Sequence, residues 1–317
     1  MAKIVVTEEM NPIGPQLLKE ARHNVIEGWK LTREEMQKET EDADALMVRI
    51  MPVPKAWMDR CRKLKMMSKH GVGIDNFDIE EAKKRGIIIT VTPGANAQSV
   101  AEHAFMMMLA LAKNAIPIHT GYKTVGWNVK NSMEGVELFG KTLGVIGCGQ
   151  IGSRIAHIAK DGLDMRVLVY DPYIAAAPAG CERVDELDTL LEQSDFVTVH
   201  SYLSPETRHM IDEKAFAKMK PGAFFINCAR GPIMDEEALI RALQEKKIAG
   251  AGLDVTEQEP LPADHPLFAM PNVILTPHYA PTTKEAAYGV ARMAAENLIH
   301  YFAGATLIHR FTMHLIL

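Results

Sequence analysis

Apolar residues along this chain come in short runs separated by amphipathic stretches. Toward the N-terminus, "KIVV", "ALMVR", "LKMMSKH" and "GIIITV" read as buried parallel strands. "MNPIGPQLLKEARH" and "IEEAKKRG" read as helices between them. The alternation predicts a parallel sheet with helices on both faces. Past Pro93-Gly94 the pattern changes. "NAQSVAEHAFMMMLALAKN" sets Ser99 and Glu102 in capping-box spacing ahead of apolar residues through Ala112, which predicts a long helix bridging two domains. "GWNVKNSMEGVELFGK" reads as a polar connection. A second series opens at Thr142, with strands at "TLGVIG", "RVLVYD", "FVTVH", "AFFINC", "AGAGLDV" and "NVILTP" and helices such as "DEEALIRALQEKK" between most of them. A last helix, from near Thr283 to Phe302, is expected to return to the first sheet. The fold class is therefore α/β, with two doubly wound parallel-sheet domains. One is discontinuous, residues 1–98 plus 290–317; the other is continuous, residues 99–289; a cleft is expected between them. The closing "ATLIHRFTMHLIL" is too apolar for an ordinary free tail, and packing on the protein is one of two readings left open.

Bulk properties narrow the function classes. A chain of 317 residues has room for two cores, and 47% hydrophobic with 24% charged residues is ordinary for a soluble globular protein. A net charge of -5 with scattered lysines and arginines gives no support for nucleic-acid binding. The four cysteines, Cys61, Cys148, Cys181 and Cys228, form no C-x-x-C pair, which argues against a zinc ribbon or a disulfide framework. "AFMMMLALA" is too short to span a bilayer, and the N-terminus lacks a signal-peptide core, so a cytoplasmic protein is expected. The 19 methionines read as core filler, and no metal is expected.

The most informative stretch is "TLGVIGCGQIG". Gly147, Gly149 and Gly152 stand in G-x-G-x-x-G spacing, a weak signal alone. Here it follows a strand and opens a helix, and Asp171 closes the next strand at the distance expected of a ribose-binding acid. Gly147 permits the turn, Gly149 close approach of a pyrophosphate, and Gly152 close helix–strand packing, while the helix N-terminus favours phosphate. Asp171 would repel a 2′-phosphate, which favours NAD over NADP.

Three further stretches place chemistry past strand ends: Arg230 in "INCARGPIMDEEAL", Asp254 and Glu259 in "AGLDVTEQEPLP", and His278 in "ILTPHYAP". Together they suit hydride transfer to a 2-keto acid. Arg230 offers bidentate binding and polarises the carbonyl. His278 is a proton donor fit for neutral pH, and Glu259 beside it would favour the imidazolium.

These ordered motifs, with "SDFVTVHSYLSPETRHMI" and "NVILTPH", resemble the D-isomer-specific 2-hydroxyacid dehydrogenase family, which includes phosphoglycerate dehydrogenases. The resemblance runs from Arg49 to Ala303. It implies a Rossmann NAD-binding domain, a flavodoxin-like substrate domain, and Arg230, Glu259 and His278 as the catalytic set. It also implies that Asp254 holds the nicotinamide carboxamide, and that Gln150, Ile151, His200, Thr207, Cys228 and Ala229 border the cofactor. Backbone N–H groups of Val72 and Gly73 would take the substrate carboxylate, flanked by Arg49, Lys69 and His70, with Asn96 facing the cleft. His103, His119 and His209 are read as structural. A homodimer built through the helix Ala101–Ala112, its following segment and Trp127 is implied as well. Tyr202 departs from the family, which commonly has proline there, and the chain ends at Leu317 without the long regulatory extension of some phosphoglycerate dehydrogenases.

Arg49 and Lys69 together could hold a phosphate, so 3-phosphoglycerate, and with it serine biosynthesis, is the leading expectation. Glyoxylate or hydroxypyruvate reductase and D-lactate-type activities are the close alternatives. The different-class alternative is a co-repressor-like protein that binds NAD without significant turnover.

Overall fold

In a computed structural model, which describes residues 1–307 and 309–311, the chain forms two compact units that divide at Asn96/Ala97 and again at Pro281/Thr282. The sequence placed these crossings at 98/99 and 289/290. The return comes earlier because Lys284–Phe302 is one unbroken helix, begun by the Thr283 hydroxyl accepting from Ala286 N–H at 3.1 Å. Ala294, Ala295 and Leu298 of that helix are buried against Ile4, Met47 and Met66 of the first unit, so the helix stays whole with that unit.

The smaller unit has five parallel strands: β1 Lys3–Val6, β2 Asn24–Glu27, β3 Ala45–Val48, β4 Met66–Lys69 and β5 Ile88–Thr90. Their order, β2-β1-β3-β4-β5, is that of flavodoxin-like sheets. The strands β3 and β4 are fully buried; β3 is accordingly apolar throughout, whereas β4 opens on two methionines and ends on buried Ser68 and Lys69. β2 was not predicted; it is a half-exposed edge strand with polar ends. At the opposite edge the apolar tail packs. Val91 N–H donates to His309 O at 3.1 Å, Phe311 N–H donates to Ile89 O at 2.8 Å, and Phe311 joins the core. Ile308 and residues 312–317 lie outside the described residues.

The larger unit has seven parallel strands: β6 Thr142–Ile146, β7 Arg166–Tyr170, β8 Glu182–Arg183, β9 Phe196–Val199, β10 Phe224–Asn227, β11 Gly250–Leu253 and β12 Val273–Leu275. The order is β12-β11-β10-β9-β6-β7-β8, so the winding direction reverses between β6 and β9. In such sheets ligands bind at the carboxyl ends beside that reversal. The helix Ala97–Ala112 covers one face, with Ala104, Met107 and Met108 buried beside Val145, Val169 and Ile226. It starts at Ala97, so Ser99 is not its cap but a buried residue of the first turn. Burial of this helix begins at its first residue, and tertiary packing overrides the capping-box signal. No helix among the described residues is long and apolar enough to cross a membrane.

Candidate active site

The glycine loop follows β6. Gly147 adopts φ +85, and a Cβ there would stand 2.7 Å from Ser201 N, so both conformation and space demand glycine. A Cβ on Gly152 would stand 2.1 Å from Gly147 O, the close helix–strand approach expected of the third glycine. Gly149 faces open space, with nothing within 4 Å of a built Cβ. The helix Gln150–His157 opens there, and the N–H groups of Gln150 and Ile151 take no partner among the described residues. An exposed, unencumbered backbone at a helix N-terminus fits a pyrophosphate. Asp171 braces this loop: its carboxylate accepts from Cys148 N–H at 2.8 Å and from Tyr173 N–H at 2.9 Å.

The other cofactor candidates lie along the same sheet edge. His200 follows β9; its Nε2 meets Thr198 Oγ1 at 2.7 Å, and its Nδ1 is buried without a partner among the described residues. Burial pushes this ring down to about 3, so it is neutral. The Thr207 hydroxyl donates to Tyr202 O at 2.7 Å and closes the turn after His200. Cys228 is buried, and burial pushes its thiol well up, which leaves it unreactive; Cys148 is likewise pushed up to about 11. Ala229 N–H donates to Asn227 Oδ1 at 3.0 Å.

The catalytic candidates occupy loops after β10, β11 and β12. Arg230 is held by its backbone: buried Asn227 donates to Arg230 O at 2.9 Å, and Arg230 Nη1 donates to Ala229 O at 2.7 Å. The next residue is a required glycine, since a Cβ on Gly231 would stand 2.0 Å from the Thr256 carbonyl. The Arg230 and Glu259 loops are thereby pressed together. Glu259 Oε2 accepts from His278 Nδ1 at 2.9 Å, and Oε1 accepts from Thr256 N–H at 3.3 Å. Burial pushes the Glu259 carboxyl up, but the His278 hydrogen bond and charge, the Thr256 N–H and Arg230 outweigh it, and the net direction is down. An ionised carboxylate only accepts, so Nδ1 carries the proton and Nε2 is left for a ligand.

His278 has φ +52, a left-handed conformation unusual for a non-glycine residue. Asp254, 1% exposed, holds it there. Its backbone O accepts from His278 N–H at 2.8 Å, Oδ1 accepts from Tyr279 N–H at 2.7 Å, and Oδ2 accepts from Ala280 N–H at 2.9 Å. Strain at a strand end that neighbours over-determine is characteristic of functional loops.

In the smaller unit the candidates divide. Gly71 N–H donates to Thr92 Oγ1 at 3.1 Å, whereas the N–H groups of Val72 and Gly73 take no partner among the described residues. Arg49 is exposed. Lys69, expected to help hold a phosphate, turns inward: it ends β4, is 7% exposed, and donates to Arg49 O and to Asn76 Oδ1, the latter at 2.7 Å. His70 has a buried Nε2 without a partner among the described residues; burial first, and Arg49 second, push it down to about 4. Asn96 is half-buried at the end of the unit. Sequence reading missed Glu8, whose carboxylate accepts from Arg49, Ile50 and Met51 N–H at 2.9, 2.5 and 2.6 Å. It also missed Asn227 and Thr276. The available signal was a polar residue at the end of an apolar strand.

The profile described as "D-isomer specific 2-hydroxyacid dehydrogenase, NAD binding domain" matches residues 105–280. A D-3-phosphoglycerate dehydrogenase of Methanocaldococcus jannaschii is 42% identical over 94% of this chain, which spans only 57% of that protein. A glyoxylate reductase of Thermofilum pendens is 41% identical over 95% of this chain and 92% of its own length. The solved structure of a glyoxylate reductase from Paecilomyes thermophila superposes with a TM-score of 0.89 at 27% identity, covering 99% of each chain.

Proposed function

The chain belongs to the D-isomer-specific 2-hydroxyacid dehydrogenase family, and on that premise we propose that it is an NAD-dependent dehydrogenase interconverting a small D-2-hydroxy acid and its 2-oxo acid. The observation that carries this reading is Glu259 on His278 Nδ1 at 2.9 Å, with Nε2 left open and the Arg230 loop pressed against the same segment. When bound, NADH supplies the hydride. Gln150, Ile151, Gly152 and the glycines before them hold its pyrophosphate, Asp171 its ribose hydroxyls, and His200, Thr207, Cys228 and Ala229 its flanks. Asp254 has one Oδ2 lone pair left for the carboxamide.

Arg230 binds the 2-oxo acid and stabilises charge that grows on the carbonyl oxygen. His278 gives that oxygen a proton from Nε2 in reduction and takes it back in oxidation. Glu259 fixes the ring and stabilises the imidazolium. In the smaller unit, the N–H groups of Val72 and Gly73 and the exposed Arg49 side chain are the candidates for binding an acid's negative charge.

For the substrate, the inward commitment of Lys69 removes one of the two cations that a phosphorylated acid called for. We propose a short unphosphorylated 2-oxo acid, glyoxylate or hydroxypyruvate. The second reading, 3-phosphohydroxypyruvate, is favoured by exposed Arg49. NADH oxidation with glyoxylate, hydroxypyruvate, pyruvate and 3-phosphohydroxypyruvate in parallel tests both. Preference for either short acid supports the proposal, preference for the phosphorylated one replaces it by the second reading, and NADH binding without turnover of any acid overturns the enzyme assignment in favour of a cofactor-binding interaction protein.

We further propose that two copies pair through the helix Ala97–Ala112 and the segment after it, where Met106, Leu109, Ile116, Tyr122, Trp127 and Phe139 are all exposed. A monomer by light scattering at micromolar concentration contradicts this.

A further inference from the structure

His103 sits on the helix Ala97–Ala112, far in sequence from every catalytic candidate, and its side chain is 11% exposed. A buried histidine with no assigned task is ordinarily a satisfied core residue. Its partner makes this one different. His103 Nε2 meets Thr276 Oγ1 at 2.9 Å, and Thr276 Oγ1 meets Asp254 Oδ1 at 2.5 Å. The threonine hydroxyl has one proton, and the carboxylate can only accept it. The hydroxyl must then accept from His103, so Nε2 carries a proton. The direction is fixed: imidazole N–H to hydroxyl, hydroxyl to carboxylate.

That carboxylate is the group that shapes the loop after β12. It accepts from Tyr279 and Ala280 N–H, while the Asp254 backbone accepts from His278 N–H. Hydrogen bonds in a buried chain polarise one another, so each donor strengthens the grip of the next. Losing the Thr276 hydroxyl would leave the Asp254 oxygen bound by Tyr279 N–H alone, with His103 3.6 Å away. The His103 ring also lies 6.3 Å, centroid to centroid, from Tyr279, the residue after His278. Two contacts from one helix thus converge on one loop.

We propose that His103 and Thr276 are positioning residues for proton transfer, acting through Asp254 to hold the His278 loop in its left-handed conformation. The proposal rests on the assignment of His278 as the proton donor. It predicts a specific kinetic pattern: Thr276 meets Asp254 at Oδ1, whereas Oδ2 is the oxygen proposed for the carboxamide, so misplacing the proton donor lowers kcat far more than it weakens cofactor or acid binding.

The test compares Thr276→Val, which keeps the side-chain shape without the hydroxyl, with Thr276→Ser, which keeps the hydroxyl. His103→Gln and the His103→Gln/Thr276→Val pair complete the set. The readouts are kcat and KM for the preferred 2-oxo acid, NADH affinity by fluorescence titration, and melting temperature. The expected result is a loss of about tenfold in kcat for Thr276→Val, with KM and NADH affinity within about twofold and recovery in Thr276→Ser. The double variant should be no slower than the slower single one, since both break one chain. Unchanged kcat in Thr276→Val overturns the proposal. So does loss of NADH affinity at unchanged kcat, and so do additive losses in the double variant. His278→Ala is run alongside. If it turns over normally, the assignment of His278 fails; if it is inactive while Thr276→Val matches wild type, only the positioning proposal fails.

Discussion

The two units present their polar groups in opposite ways. In the larger one, neighbours pin the loops that carry the candidate catalytic side chains: the Asn227 amide holds Arg230 O, Thr256 N–H holds the Glu259 carboxylate, and the Asp254 carboxylate holds the backbone after His278. In the smaller one, charged side chains turn inward and hold backbone. Glu8 gathers the N–H groups of Arg49, Ile50 and Met51, and Lys69 ties Arg49 O to Asn76. What remains on offer there is the backbone of Val72 and Gly73 and the Arg49 side chain. On the proposed function, reaction type is written in side chains, and substrate choice in how a turn is braced.

If this contrast is right, substitutions in the larger unit lower kcat, and substitutions in the smaller unit raise KM. The largest effect is expected for Arg230→Lys, which loses the planar fork: kcat/KM should fall about 10²–10³-fold with NADH affinity retained. Steady-state kinetics with a fluorescence titration check it, and loss of NADH affinity in its place would blur the contrast. Glu259→Gln should lower kcat about 10–100-fold. The Glu259 carboxyl is held below its ordinary 4.5, so its pairing contributes above that pH and is lost as pH falls through the lowered value. The acid limb of the wild-type kcat profile should contain that loss, and the variant should lack it.

On the other side, Lys69→Met should raise KM by about tenfold for phosphorylated and unphosphorylated acids alike, because it loosens a strap. Arg49→Gln should raise KM most for the phosphorylated acid. A selective Lys69 effect would make that lysine a phosphate ligand and break the comparison. The smallest expected effect is on stability. His70, pushed down to about 4, and His200, pushed down to about 3, are neutral when folded. The unfolded chain takes up protons near 6.5, so stability is full above that pH and declines as pH falls toward about 4. Urea unfolding at pH 7 and pH 5 measures it, and a smaller decline is expected in His70→Leu.

The same contrast explains what could be read in advance. The glycine loop, Asp171, Arg230 and His278 could be read as candidates because each stands just past an apolar strand, and strand ends are marked by composition; Glu259 lies farther along the loop after β11 and reads as a partner for His278. β2 was not legible because Asn24 and Glu27 belong to a half-exposed edge. Ser99 looked like a cap because local spacing does not reveal that burial starts at Ala97. Lys69 reads from the sequence as a cation open to a phosphate because its acceptors, Arg49 O and Asn76, lie on other segments. His103 looked inert for the same reason, its partner Thr276 being remote in sequence. Groups whose partners lie on remote segments leave no periodic trace.

The most direct test of the central claim is kcat/KM of His278→Gln for the preferred 2-oxo acid, with NADH affinity measured on the same preparation. The account predicts a fall of at least about 100-fold with NADH affinity within about twofold of wild type. Turnover near the wild-type rate would contradict it, since another group would then supply the proton.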